Sequence, residues 1–593
     1  MSALSFARRL SVVCLCAVVA ACGGGSDSDG AVPPDPLAGY RQQTLDWQRC
    51  DPSILGSPEG LPAELEDRVR CAQVRAPMDY RAPRRGEVTL AVMKVAAEEP
   101  ARKLGALFFN PGGPGVDGLG LASHFGALWT GADPATPGGA LRREMSKRYD
   151  LIGFSPRGTG ASSALSCESN ELYRPARFAS DDRSADNIEA LLYNAGLKAR
   201  TCLKNPLTRY INTEQTVHDL DLMRGLLGDP RLNYIGYSYG TWLGAWYAAR
   251  YPHRVGRMLL DSSMDFSGDF DEASRSQVRA SQRVMDQVLA GYASRHPDRF
   301  GLGDSEDAFR DVFGRLPSDL KALAAESLQL GNRRLTEENL LAYKTLSILG
   351  ELLDAAPDAE AAQLHQALDD RGTLVARAED DTRLREATHQ LIDTYLERRS
   401  EPPEPVDLGR MAATFLAVVC NDTASRTERD YWVTLGDQYA VTYPLLGGGI
   451  TAQPCLYWGG PSVSKPSAAA VAEAGTLLMV QSQYDALTLT EGAMALFDQL
   501  PAARLIYVEE EYTHGVFPYE TDCVDLPVLR YFIDGTVPAR RTDCAGRPLP
   551  GDEPAGRSLR ALAAPASPYH DPDQADLSVQ RIKAIIAGRP YQR

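Results

Sequence analysis

The chain has 593 residues, 44% of them hydrophobic and 24% charged. That is enough to bury a large core, either as one big domain with an insertion or as two or three domains. Asp and Glu number 78 against 62 Lys and Arg, for a net charge of −16, and no Lys/Arg-rich run occurs, which speaks against a nucleic-acid partner.

The N-terminus reads as a targeting segment. Arg8 and Arg9 precede an apolar stretch, Leu10 to Ala21, that is too short for the roughly 20 residues a membrane span needs. Val19-Ala20-Ala21-Cys22 resembles a bacterial lipobox. Residues 1–21 are therefore expected to be a signal peptide, with Cys22 as the lipidated new N-terminus. Gly23 after it resembles lipoproteins sent to an outer membrane, facing the periplasm or the cell surface. The polar, glycine-rich stretch at 22–40 is expected to be a flexible linker. No other segment is long and apolar enough to span a membrane, so the lipid is the only expected membrane contact.

Of 11 cysteines, eight lie beyond Cys22. An even number in an exported chain points to disulfides. The simplest pairing is between sequence neighbours: Cys50 with Cys71, Cys167 with Cys202, Cys420 with Cys455, and Cys523 with Cys544. The absence of C-x-x-C and H-x-x-x-H spacing argues against a metal site.

Residues 41–265 alternate strands with helices. "VTLAVMKV" (88–95) looks like an early edge strand, and "GALFFN" (105–110), "YDLIGF" (149–154), "LNYIGY" (232–237) and "RMLLDS" (257–262) look like buried strands. "TVHDLDLMRGLLG" (216–228) has its apolar residues on one helical face. Residues 266–410 are helical in pattern and are expected to form a cap insertion. The strand–helix rhythm returns at 411–550 with "TLLMVQS" (476–482) and "ARLIYVEEE" (503–511), and 551–593 is a C-terminal extension. The predicted fold is α/β, a doubly wound, mostly parallel sheet with a helical cap.

"YIGYSYGTW" sets Ser238 between Gly236 and Gly240, after a strand and before a helix. A nucleophile elbow needs small residues at −2 and +2 because side chains there would clash with the sharp turn. The bare pattern arises by chance in about one such chain in four, so the context decides. Asp485 and His514 each follow a late strand, giving the order Ser…Asp…His of a hydrolase triad. Asp261, at another strand end, is the rival acid. The loop "NPGGPG" after the 105–110 strand would bring N–H groups to an oxyanion, with Gly113 and Tyr239 as the expected donors. The S-x-x-K at Ser462 to Lys465 lacks the companion motifs of a β-lactamase-like site, and no P-loop occurs.

"NPGGPG", "YDLIGFSPRGTGAS", "YIGYSYGTWLGAWYAARYP", "QSQYDALT" and "EYTHGVF" together resemble the exported tripeptidyl aminopeptidase and proline iminopeptidase-like serine peptidases of the α/β-hydrolase fold. The likeness runs from Trp47 to about Cys544. It implies release of short N-terminal pieces from peptides with a free amine, without metal or cofactor. Ser155 stands where relatives commonly have Asp. An exopeptidase needs a carboxylate to hold the substrate ammonium, and Asp422 and Asp117 are the candidates. The alternatives are a carboxylesterase using the same triad and a catalytically inert binding lipoprotein.

Overall fold

A computed structural model of the chain describes residues 35–51, 63–552, 569 and 572–587. Cys22, the signal segment and most of the linker lie outside them. Eleven strands occur among the described residues: β1 (Val69–Pro77), β2 (Glu87–Val95), β3 (Gly105–Asn110), β4 (Tyr149–Phe154), β5 (Cys167–Leu172), β6 (Leu232–Tyr237), β7 (Val255–Asp261), β8 (Pro405–Leu408), β9 (Leu478–Ser482), β10 (Arg504–Glu509) and β11 (Arg541–Ala545). Nine of them form one sheet in the order β1-β2-β4-β3-β6-β7-β9-β10-β11, and β5 and β8 form a separate antiparallel ribbon. Within the sheet β2 opposes both its neighbours and every other pairing is parallel.

The central strands β3, β4 and β6 are buried along their whole length, as apolar runs covered on both faces must be. Side-chain alternation splits them between two cores. Phe108 packs into the cluster of Trp242, Trp246 and Leu220, while Leu107 and Phe109 join Phe125, Trp129 and Phe532 on the other face. Helices therefore cover the sheet on both sides, with helix Thr213–Leu226 and helix Tyr239–Arg250 on one, and helices Leu121–Thr130 and Asp522–Ile533 on the other.

The 88–95 segment is not the sheet edge. That place belongs to β1, which pairs with β2 along its full length. Its "VRCAQVRAP" mixes charged and apolar residues, because one face of an edge strand meets solvent, and so it lacks the apolar run of the inner strands. At the other edge, the polar β11 is held parallel to β10 and tied by Cys544 to Cys523.

Between β7 and β9 the chain is mostly helical. Helix Glu306–Arg315, helix Thr336–Ala355 and helix Ala378–Ser400 contribute to a third core containing Phe309, Leu349 and Ile392. Helices continue past 410 as Arg410–Asp422 and Arg429–Thr442. Disulfides join Cys50 to Cys71, Cys167 to Cys202, Cys420 to Cys455 and Cys523 to Cys544, the four neighbouring couples. No helix among the described residues is long and apolar enough to cross a membrane.

Candidate active site

β6 delivers Ser238 to the turn before helix Tyr239–Arg250. Its backbone has φ 55° and ψ −125°, a conformation that costs a side-chain-bearing residue about 1–3 kcal/mol and persists only where the surroundings enforce it. The enforcing contacts are visible. A Cβ on Gly236 would lie 2.4 Å from the Gly240 carbonyl oxygen, and one on Gly240 would lie 2.7 Å from that of Asn110. Ser238 N–H donates to the Asp261 carbonyl at 3.1 Å, and Thr241 N–H donates back to the Ser238 carbonyl at 2.8 Å. The other non-glycine residues with positive φ among those described are Ser262, Glu510 and Glu520. Ser262 follows β7 directly, and the two glutamates flank the loop that carries His514.

That loop leaves β10. His514 is 5% exposed, and its Nδ1 lies 2.9 Å from Asp485 Oδ1 and 3.1 Å from Oδ2. Asp485 is fixed in turn by the N–H groups of Leu487 and Thr488, both at 2.9 Å. Burial on its own would raise the Asp485 carboxyl, but the His514 ring and those amides outweigh it and hold the pKa below its ordinary value. An ionised carboxylate only accepts, so Nδ1 carries the proton and Nε2 is left as the acceptor. The insertion reaches this loop too, because His514 N–H donates to the Gly331 carbonyl at 2.9 Å.

Asp261 has a different task. Its oxygens accept from the N–H groups of Val516 (2.8 Å) and Phe517 (2.6 Å), just past the histidine. Glu511, fully buried, accepts from the N–H groups of Tyr512 and Thr513 and from the Tyr519 hydroxyl.

The glycine-rich loop lies against the elbow. Gly112, Gly113 and Gly115 all have φ near +100°, which only glycine adopts freely. A Cβ on Gly112 would come within 2.8 Å of Ser238 Cβ and 3.1 Å of Tyr239 N. Gly112 N–H donates to Asn110 Oδ1 at 3.0 Å. Tyr239 opens its helix, where N–H groups lack intrahelical partners.

The two acids expected to bind an amine both accept hydrogen bonds from within the chain. Asp422 is 1% exposed and accepts from Thr213 N–H (2.8 Å), the Thr213 hydroxyl (2.5 Å) and Trp242 Nε1 (3.1 Å). It ties three helices together inside the protein. Asp117 folds back on the 155–160 loop, accepting from Leu119 N–H at 3.0 Å and from the Ser155 hydroxyl at 2.8 Å. Asp117 thus brings a carboxylate to the turn where Ser155 has none. In the same turn Arg157 is fully buried and grips Asp219 with two bonds of 2.7 Å. The donors around Asp422 were not legible in the sequence, since a lone Asp gives no hint of them. Among the described residues no group of three or more His, Cys, Asp or Glu is placed to hold a metal ion.

Family models match two stretches of the chain, the alpha/beta hydrolase fold over residues 105–340 and the TAP-like protein over residues 443–544. The chain is 27% identical over 521 residues to the tripeptidyl aminopeptidase of Streptomyces lividans, covering 85% of this chain and 87% of that protein. It is 26% identical over 514 residues to the serine protease Hip1 of Mycobacterium tuberculosis, with 85% and 91% covered. It is 28% identical over 546 residues to carboxylesterase B of the same organism, with 88% and 94% covered. Elbow, late acid, late histidine and the nine-stranded sheet agree with those matches. The chain has the α/β-hydrolase fold and is a serine peptidase hydrolase similar to the tripeptidyl aminopeptidase and Hip1 proteins.

Proposed function

We propose that the protein is an aminopeptidase that releases short N-terminal pieces from peptides through Ser238, His514 and Asp485. The observation that carries the reading is the Asp485–His514 bond, in a loop beyond the strained turn that holds Ser238. Ser238 Oγ attacks the scissile carbonyl carbon while His514 Nε2 takes its proton. The carbonyl oxygen gains the negative charge, and the N–H groups of Gly113 and Tyr239 stabilise it. His514 then returns the proton to the leaving amine as the C–N bond breaks. Water, deprotonated by the same nitrogen, releases the acyl group from Ser238. Asp485 keeps the imidazole in the right tautomer and stabilises its cation. The chemistry calls for no metal or cofactor.

Similarity to the tripeptidyl aminopeptidase of Streptomyces lividans supports the aminopeptidase reading, and similarity to carboxylesterase B supports an esterase as the second reading. An exopeptidase recognises the free ammonium, and losing one buried charged hydrogen bond costs about a hundredfold in specificity. N-acetylating a good peptide amide substrate should therefore cut kcat/KM by roughly that factor. Equal cleavage of free and acetylated peptides, with faster turnover of simple esters, would replace the aminopeptidase reading with the esterase one. We also propose that acylated Cys22 anchors the enzyme to an outer membrane. The mass of the mature N-terminus tests this, and an unmodified N-terminus elsewhere in the chain would contradict it.

A further inference from the structure

The helix Pro572–Ile586 lies beyond the stretch that resembles the peptidases, yet it is packed into the back of the site. Its Ala575, Val579, Ile582 and Ile586 are buried in the same core as Phe125 and Phe517. Lys583 stands one helical turn after Val579, on that apolar stripe, and is only 7% exposed. A lysine in such a place needs partners. Its Nζ donates to the Gly515 carbonyl and, at 2.7 Å, to the Val516 carbonyl.

These are the residues directly after His514, and they are also held from the other side. Asp261 takes the N–H groups of Val516 and Phe517, and the Ser262 hydroxyl takes that of Gly515 at 2.7 Å. A Cβ on Gly515 would lie 2.7 Å from Ile586 Cγ2, so the helix also presses directly on this turn. Burial pushes the Asp261 carboxyl up and the Lys583 amine down, and each group's charge opposes the other's shift.

We propose that Lys583 is a positioning residue for hydrolysis. Together with Asp261 it fixes the Gly515–Phe517 backbone and hence the placement of His514, which makes the C-terminal helix part of the working site. The proposal rests on His514 being the general base. A misplacement of about 1 Å at a reacting group costs on the order of a hundredfold in rate, so a loosened turn should be felt in kcat.

The test uses full-length Lys583→Met and Lys583→Arg, with kcat expressed per active site titrated by a fluorophosphonate. Lys583→Met should lower kcat by about tenfold or more and leave KM within about twofold. Lys583→Arg, which keeps charge and donors, should recover much of the loss. On a His514→Ala background, with turnover expressed per mole of folded protein because that background cannot be titrated through Ser238, Lys583→Met should cost nothing further, because residues acting through one another are not additive. If Lys583→Met does not fold, Lys583→Gln carries the same expectations. An unchanged kcat per titrated site with only a lower melting temperature overturns the proposal, as does a full additional loss on the His514→Ala background. Parent-level activity in His514→Ala would remove the triad reading itself, an outcome distinct from either.

Discussion

His514 Nδ1 stands 2.9 Å from Asp485 Oδ1, whereas Asp261, the other acid at a neighbouring strand end, spends both its oxygens on the amides of Val516 and Phe517. The two carboxylates therefore act on the histidine in different ways, one on its ring and one on the backbone behind it. Asp485→Asn should lower kcat by about 10⁴, the order seen when a triad acid is neutralised. Asp261→Asn, which bears on position alone, should lower it by no more than about a hundredfold. Steady-state kinetics of both variants on one substrate decides, and a reversed ranking would make Asp261 the functional acid.

Much of this site was legible in the sequence because its parts obey local rules. Ser238 needs small neighbours at the elbow, and the buried strands that carry Ser238, Asp485 and His514 announce themselves as short apolar runs. The neighbouring cysteine couples were readable for a related reason, since loops close in sequence pair easily. What could not be read were roles set by long-range packing. β1 and β11 are edge strands with polar faces, so their sequences lack the apolar signature. The donors to Asp422, Thr213 and Trp242, come from segments about two hundred residues away in sequence, which no local pattern shows. Lys583 left one trace, a charged residue on the stripe of Val579, Ile582 and Ile586, but nothing local tied that stripe to a loop some seventy residues away in sequence.

The elbow glycines should tolerate no side chain. At Gly236 the nearest atom to a new Cβ is backbone, 2.4 Å away, and cannot swing aside. Gly236→Ala should lower stability by about 1–3 kcal/mol, as overpacking does, and should slow fluorophosphonate labelling of the folded fraction. Denaturant melts with labelling rates check both effects. Parent-like values in both would mean that the turn is looser than the contacts imply.

Arg157 and Asp219 form a buried pair whose side chains are 0% and 1% exposed, with further bonds from Arg157 to the carbonyls of Pro77, Met78 and Tyr210. Arg157→Met would leave three carbonyls without their arginine donor and the buried Asp219 carboxylate with the Tyr80 hydroxyl in place of its cation. Breaking such a pair from one side costs about 3–5 kcal/mol. The double variant Arg157→Met/Asp219→Leu should recover part of this in denaturant unfolding. A larger loss in the double variant would show that the two residues are not coupled as described.

Asp422 makes stability depend on pH in a predictable direction. Burial pushes its carboxyl from 3.8 up to about 7, against the lowering effect of the Thr213 and Trp242 donors. Between those values the folded chain holds a proton that the unfolded chain has released. Its contribution is therefore greatest below pH 4, falls as pH rises toward 7, and levels off above. Asp422→Asn stays neutral throughout and should gain on the parent across that window, by roughly a few kcal/mol at most. Unfolding free energies at pH 5, 6 and 8 supply the comparison. A difference between variant and parent that stays flat from pH 5 to pH 8 would show that Asp422 is held ionised.

The central claim is that Ser238 is the nucleophile, and the most direct measurement is the site of covalent capture. A fluorophosphonate should add once per chain, and mass spectrometry of the digest should place the adduct on Ser238. Ser238→Ala should fold as the parent does, take up no label and turn over no substrate. Labelling at another residue, or turnover by Ser238→Ala at the parent rate, would contradict the account.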